Sequence, residues 1–330
     1  METIYLIFGS LLLLLTMIDL IWTIFWGERG AGPITRHVTS ICWIGLRKFT
    51  RGHSRWFSIS GPFILLLTLF NWVVLLWISW TFIFVGGESI LTDTQNRDYL
   101  SWSDQIYYVG YAMITLGIGD IVPSSHTWRI ITIIVSASGM LFITMSASYV
   151  VSILSALNQK RSFAGSISGL GKDSTSIIYE AWNGRDFTDF NLFLATFASQ
   201  LSTIAVQHNA YPILHYYHSR EEEKALTTAV AIFDEVLTTL YFATPEVSQP
   251  NRTLLHSARS SVKSYIKSQD FFYLLPLDQI PPTPDLEVLR RAGLPILPQE
   301  EAEKKMTELE DRRRKLFSIV RSDARKWPNA

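Results

Sequence analysis

Three long stretches nearly free of charge dominate this sequence. Residues 3–26 (TIYLIFGSLLLLLTMIDLIWTIFW) carry one charge, Asp19; residues 62–86 (PFILLLTLFNWVVLLWISWTFIFVG) carry none; residues 128–155 (WRIITIIVSASGMLFITMSASYVVSILS) carry only Arg129. At about 1.5 Å rise per residue, such helices reach the roughly 30 Å of a bilayer's hydrocarbon core. A soluble fold cannot hide that much apolar surface, so a purely soluble enzyme is excluded. The first stretch lacks a basic n-region, is too long for a leader's apolar core and is followed by no small-residue cleavage site, so it is expected to be an anchor.

The remaining composition removes other classes. Basic and acidic side chains balance at 29 each, and no segment forms a basic stripe with interleaved aromatics, so no nucleic-acid partner is expected. One cysteine, Cys42, excludes an internal disulfide or a CxxC site. Eleven Trp and thirteen Tyr suit a chain that meets lipid headgroups. Between the first two stretches lie Arg29, Arg36, Arg47, Lys48, Arg51 and Arg55 against Glu28; between the second and third, Glu88, Asp93, Asp98, Asp104 and Asp120 against Arg97. The excess of Lys and Arg marks the cytoplasmic loop. A multi-pass cell-membrane protein with an external N-terminus and a cytoplasmic C-terminal part is therefore expected, with lipids as partners.

Within the basic loop, 28–61, a helix beginning near Pro33 would place Ile34, Val38, Ile41, Cys42 and Phe49 on one face and Arg36, Ser40, Arg47 and Lys48 opposite. Such a helix would lie in the membrane interface with Trp43 at headgroup depth. A loop helix packed on the cytoplasmic part is the alternative.

Residues 101–123 (SWSDQIYYVGYAMITLGIGDIVP) hold the chemistry. From Ser103 to Ile114 the segment is apolar and aromatic, yet a dozen residues cannot span a bilayer, which makes it a re-entrant candidate. Ser101 or Ser103 would cap it, with Asp104 in its first turn. It runs into Thr115-Leu116-Gly117-Ile118-Gly119-Asp120. Non-helical backbone at membrane depth survives only where it lines a cavity. Glycines at alternate positions accept positive φ, which lets successive carbonyls turn the same way. Leu116 and Ile118 would then pack against the re-entrant helix.

Here the chain resembles the potassium channel family, over residues 62–155: TLGIGD stands where that family carries TVGYGD, followed by Ile121-Val122-Pro123. The resemblance implies a homotetramer around one axis, with potassium held by the carbonyls of Thr115, Leu116, Gly117 and Ile118, the Thr115 hydroxyl completing the innermost site, and Gly119 closing the filter. It assigns Asp120 to the outer mouth. Tyr111 stands where some members carry a carboxylate partner for that aspartate. Ile118 replaces the usual bracing aromatic, and Ile114 a threonine behind the filter. The third stretch supplies the inner helix: Gly139 has the spacing of a hinge glycine, while Ser136, Ala137, Ser138 and Gly139 equally suit close helix packing. Ile143, Ala147 and Val151 match cavity positions that would gate by dewetting. Asp19 and Asn71 are polar residues inside spans, expected as packing partners or functional groups. No arginine ladder suggests a voltage sensor.

Residues 157–175 are rich in Gly and Ser and are expected to be a linker; Gly169-Leu170-Gly171-Lys172 lacks phosphate-loop spacing. Helices are expected over 187–204, 225–242 and 253–268, and extended chain over 273–298. In 299–322, Ala302, Met306, Leu309, Arg313, Leu316 and Val320 follow a heptad that would suit a fourfold coiled coil or a helix packed on its own domain. His215, His218 and Glu222 would share a helical face, a weak divalent-metal candidate beside the ordinary alternative of surface histidines.

The expected fold is an all-α membrane protein: three transmembrane helices, one re-entrant pore helix and filter, and a mainly helical cytoplasmic part. Its divisions are 1–27, 28–61, 62–156 (pore domain), 157–175 and 176–330. The expected function is passive, potassium-selective conduction through a tetramer, gated at the inner helix, with a cytoplasmic ligand as an open option. A weakly selective cation channel and a non-conducting sensor or adaptor are the alternatives. No catalysis and no cofactor beyond the permeant potassium ion are expected.

Overall fold

Helix α1 (Glu2–Phe25) turns Ile4, Ile7, Leu11, Leu14 and Ile18 outward and buries Gly9, Thr16, Asp19, Leu20 and Thr23. That inversion suits lipid, where greasy side chains face the tails and small or polar ones mediate helix packing. Gly9 sits so close to α3 (Ser54–Val85) that an added Cβ would lie 2.8 Å from the Ile83 nitrogen and the Ser79 oxygen. Our computed structural model describes residues 2–26, 30–50, 54–87, 90–94, 100–269, 279–306, 309–323 and 325–328.

The chain divides into two units, residues 1–45 with 62–153, and residues 46–61 with 154–330. The first unit holds α1, most of α2 (Pro33–Thr50), the larger part of α3, a short antiparallel ribbon of β1 (Leu91–Asp93) and β2 (Ile121–Pro123), helix α4 (Trp102–Met113), and the first part of α5 (His126–Leu170). In the ribbon Leu91 pairs with Pro123, Thr92 with Val122 and Asp93 with Ile121.

Asp19 organises the first unit. Its carboxylate accepts from Ile34 N at 2.8 Å and Thr35 N at 3.1 Å, capping α2 from another helix, and from Thr35 Oγ1 at 2.5 Å. The Trp72 indole of α3 donates to the same carboxylate at 2.9 Å, and Trp72 packs edge-on against Tyr149 of α5. One buried acid thus satisfies an orphaned helix start and joins three elements. Trp43 is buried with Thr35 and Thr39, while Ile41 and Ile44 are exposed. The Arg47, Lys48 and Phe49 side chains lie outside the described residues.

The second unit is a helical domain: α6 (Ser174–Ala181), α7 (Asn191–Ala210), α8 (Leu226–Thr238), α9 (Arg252–Ser268), α10 (Leu286–Arg291), α11 (Gln299–Met306) and α12 (Glu310–Ser322), with α7 lying along α9. Four helices among the described residues are long and apolar enough to cross a membrane. The fourth, 226–243, differs in kind: 83% of its window is buried within the protein, and it carries Asp234, paired with Arg312, and Glu235, 2.9 Å from Arg313. We assign it to the domain core.

Two sequence expectations change here, those for 157–175 and 273–298, and of the two alternatives for 299–322 the helix packed on its own domain holds. The stretch 157–175 is no linker, since α5 stays helical to Leu170; Phe163, Ala164 and Ile167 are buried in the core, whereas Gly165 and Gly169 face open space. The heptad residues Ala302, Met306, Leu309, Arg313, Leu316 and Val320 are all buried in their own unit, so no seam is left for a coiled coil. The proline-rich 273–298 contains helix α10, capped by Asp285 accepting from Glu287 N; residues 273–278 lie outside the described ones.

Candidate functional site

The short helix α4 is held at both ends by its neighbours. At its start, the Asp104 carboxylate accepts from Ser101 N at 2.8 Å and Ser101 Oγ at 2.6 Å. Neighbours on both sides hold it. Trp77 of α3 donates to Ile106 O at 2.9 Å, Tyr108 bonds Thr132 of α5 at 2.6 Å, and Ser136 of α5 donates to Ala112 O at 2.8 Å. Gly139 lies against the Met113 carbonyl, where an added Cβ would overlap it. Ser138 accepts from Trp80 at 3.0 Å, so Ser136, Ser138 and Gly139 serve helix packing, while Ala137 is exposed.

Beyond α4 the chain turns into an irregular segment whose backbone alternates. Thr115 (φ 59°), Gly117 (φ 58°) and Gly119 (φ 84°) occupy the left-handed region; Leu116 and Ile118 between them do not. Thr115 is the only described non-glycine residue with positive φ. Such alternation points successive carbonyls to one side, as a column of oxygens requires, and it costs least at glycine. Leu116 N donates to Tyr111 O at 2.9 Å and Thr115 N to Ala112 O at 3.2 Å, so the segment caps the helix that delivers it.

Leu116 and Ile118 do not pack against their own pore helix: they are 61% and 53% exposed within one protomer. The stripe on α5 behaves likewise. Ile143, Ala147 and Val151 are exposed, whereas Phe142, Ser146, Tyr149 and Ile153 on the other face are buried.

At the far end of the segment, Asp120 Oδ1 accepts from Ile121 N at 2.9 Å, and Asp120 O accepts from both Thr94 N (2.9 Å) and Thr94 Oγ1 (2.8 Å). Tyr111 does not reach the Asp120 side chain; its hydroxyl donates to Ile121 O. Tyr107, one turn earlier, is raised in pKa by burial first and then by the nearby Asp120 carboxylate. Sequence reasoning missed Thr94 and Tyr107. Thr94 precedes residues 95–99, which are not described, and a three-residue strand leaves no periodic signal.

The suggested metal residues part company. His215 lies in a short 3-10 turn (Pro212–Tyr216) and His218 follows it, engaged by Asp323 rather than sharing a helical face with Glu222. The Glu222 side chain lies outside the described residues, and among those described no His, Cys, Asp and Glu cluster suits a metal. Around them lies a buried polar group. Lys160 donates to Leu214 O (3.2 Å) and Tyr217 O (2.8 Å), Thr227 donates to Asp323 at 2.6 Å, and Gln269 contacts His208 Nδ1 at 3.2 Å. Burial lowers the His215 imidazole to about 3 and the Lys160 amine to about 8; at Asp323 burial pushes the carboxyl up, but His218, Lys160 and Thr227 together hold it down at about 2.

The comparisons meet this geometry at the same residues. The family described as ion channel matches residues 67–156, which hold most of α3, all of α4, the alternating segment and the apolar part of α5. A Bacillus subtilis (strain 168) protein named "Uncharacterized membrane protein YdjJ" is 44% identical over 324 residues, 98% of this chain and 95% of the relative. This chain belongs to the YdjJ family. Residues 67–156 match the ion-channel family model, and the whole is an all-α membrane protein with a helical C-terminal domain. No solved structure matches.

Proposed function

We propose that four copies of this chain form a passive, potassium-selective channel. One observation carries the proposal: alternating left-handed backbone at Thr115, Gly117 and Gly119, delivered by a helix too short to span, between two that do. Carbonyls of Thr115, Leu116, Gly117 and Ile118 replace the water that a dehydrating cation loses, and several sites in a row let one ion displace the next. No bond is made or broken, and neither enzyme chemistry nor a cofactor is required.

Fourfold assembly is supported by what a single protomer leaves uncovered. Leu116, Ile118, Ile143 and Val151 are all more than half exposed. A copy packed alongside covers the first two. The α5 stripe then lines a shared cavity, where Ile143, Ala147 and Val151 form an apolar constriction that closes by dewetting. The charge bias of the loops supports an orientation with the Asp120 end of the segment outside and the second unit in the cytoplasm.

Reversal potentials across planar bilayers with opposed potassium and sodium gradients test the proposal. A reversal near the potassium equilibrium potential supports it. A reversal near zero would identify a weakly selective cation pore, and absence of current a non-conducting assembly.

A further inference from the structure

The candidate filter is suspended. Among the described residues, Gly117, Ile118 and Gly119 make no backbone hydrogen bond to the rest of their protomer, and an added Cβ at Gly117 would meet nothing within 4 Å. What fixes the segment lies at its ends, and one residue touches both. The Tyr111 carbonyl accepts from Leu116 N at 2.9 Å at the helix end, and the Tyr111 hydroxyl donates to Ile121 O at the far end. Backbone oxygen and phenol are separated by a rigid ring, so Tyr111 spans the segment like a bar of fixed length.

The far end is held a second time. In the peptide plane joining Asp120 to Ile121, the oxygen accepts twice from Thr94 and the nitrogen donates to Asp120 Oδ1. The next plane is held by Tyr111. Two consecutive planes are therefore fixed, with one peptide plane between them and the plane that carries the last oxygen of the column, that of Ile118. The β1–β2 ribbon, whose pairs run from Leu91↔Pro123 to Asp93↔Ile121, carries Thr94 to this position. Ile118 has no hydroxyl with which to brace the segment sideways, so length must be controlled from the ends.

We infer that Tyr111 is a strut and Thr94 a clamp, two positioning residues that fix the end-to-end length of the Leu116–Ile121 segment and thereby its preference for potassium over sodium. The inference rests on the channel reading. A smaller cation needs its oxygens closer together; a segment free to shorten can close on sodium, whereas one held at both ends cannot.

The test compares wild type, Tyr111→Phe, Thr94→Val and Thr94→Ser by potassium and sodium permeability in planar bilayers, with oligomer size checked in detergent. Tyr111→Phe and Thr94→Val are expected to lower the potassium-to-sodium permeability ratio about five- to tenfold, the equilibrium equivalent of about one hydrogen bond. Assembly and potassium current persist, and Thr94→Ser, which keeps the hydroxyl, restores the ratio. Thr94 is exposed, so its variants carry the test if the buried Tyr111→Phe fails to assemble. Unchanged ratios in conducting variants, or a serine as poor as valine, would overturn this inference while leaving the channel intact. A wild-type protein that passes neither cation would overturn both.

Discussion

The carbonyl of Met113, the last residue of α4, lies directly against Gly139 of α5, so that any side chain at 139 would overlap it. Helix α5 runs through this position without interruption. Close approach of the long helix to the end of the short one therefore accounts for the glycine. Gly139→Ala is expected to destabilise the protein by about 1–3 kcal/mol, the usual cost of overpacking. Thermal unfolding in detergent measures it. A variant as stable as wild type, altered only in open probability, would instead point to bending at this residue.

Asp19 accepts four hydrogen bonds from two helices. Asp19→Asn keeps one acceptor oxygen but turns an amide NH2 toward partners of which only the Thr35 hydroxyl can accept. A loss of about 1–3 kcal/mol is expected, and about 1 kcal/mol for Trp72→Phe, which removes a single donor. Melting temperatures of the two variants in one detergent would show the ranking; equal losses would contradict the cap.

Acid should loosen the C-terminal domain before it affects the rest. His208 and His215 are buried, with Lys160, Arg161, His218, Tyr265 and Asp323 as the other titratable groups of the cluster, and burial lowers both imidazoles. A folded-state pKa below the unfolded value of about 6.5 means that the unfolded chain binds the proton first. The histidine contribution is therefore complete above about pH 6.5 and falls by about 1.4 kcal/mol per histidine per pH unit below it, whereas the depressed Lys160 amine acts only above its folded value of about 8. For His215 the decline ends near its folded value of about 3. Asp323 adds a further loss between its unfolded value and about 2. Unfolding followed from pH 8 to 5 checks the sign, and His215→Gln should flatten the slope.

Glu235 and Arg313 form a buried pair at 2.9 Å, in which burial raises the carboxyl and the guanidinium opposes the rise. Removing one partner strands a charge: Arg313→Leu is expected to cost about 3–5 kcal/mol. The double change Glu235→Gln, Arg313→Met should recover much of that. Chemical denaturation of the three proteins provides the comparison; a double variant worse than the single would contradict it.

The membrane part was legible because its constraints are local. Run length marks the spans, a dozen apolar residues are too few to cross, and alternate glycines announce an alternating backbone. Asp19 stood out as an acid in a span, although its partners could not be read because Trp72 lies 53 positions away. The C-terminal domain was harder for the same reason. His218 meets Asp323 across 105 positions, and Lys160 meets Tyr217 across 57. Glycines at 165 and 169 suggested a linker, but the buried side chains of Phe163, Ala164 and Ile167 decide the helix. The heptad in 299–322 marked a buried face correctly without saying what would cover it.

Potassium uptake into liposomes reconstituted with purified protein, driven by a potassium gradient and repeated with Gly117→Ala, tests the central claim most directly. Gly117 holds φ at 58°, so a methyl group there strains the alternating backbone even though no atom stands in its way. The account predicts rapid uptake by the wild type and its loss in the variant at unchanged oligomer size. Equal uptake by both proteins would contradict it.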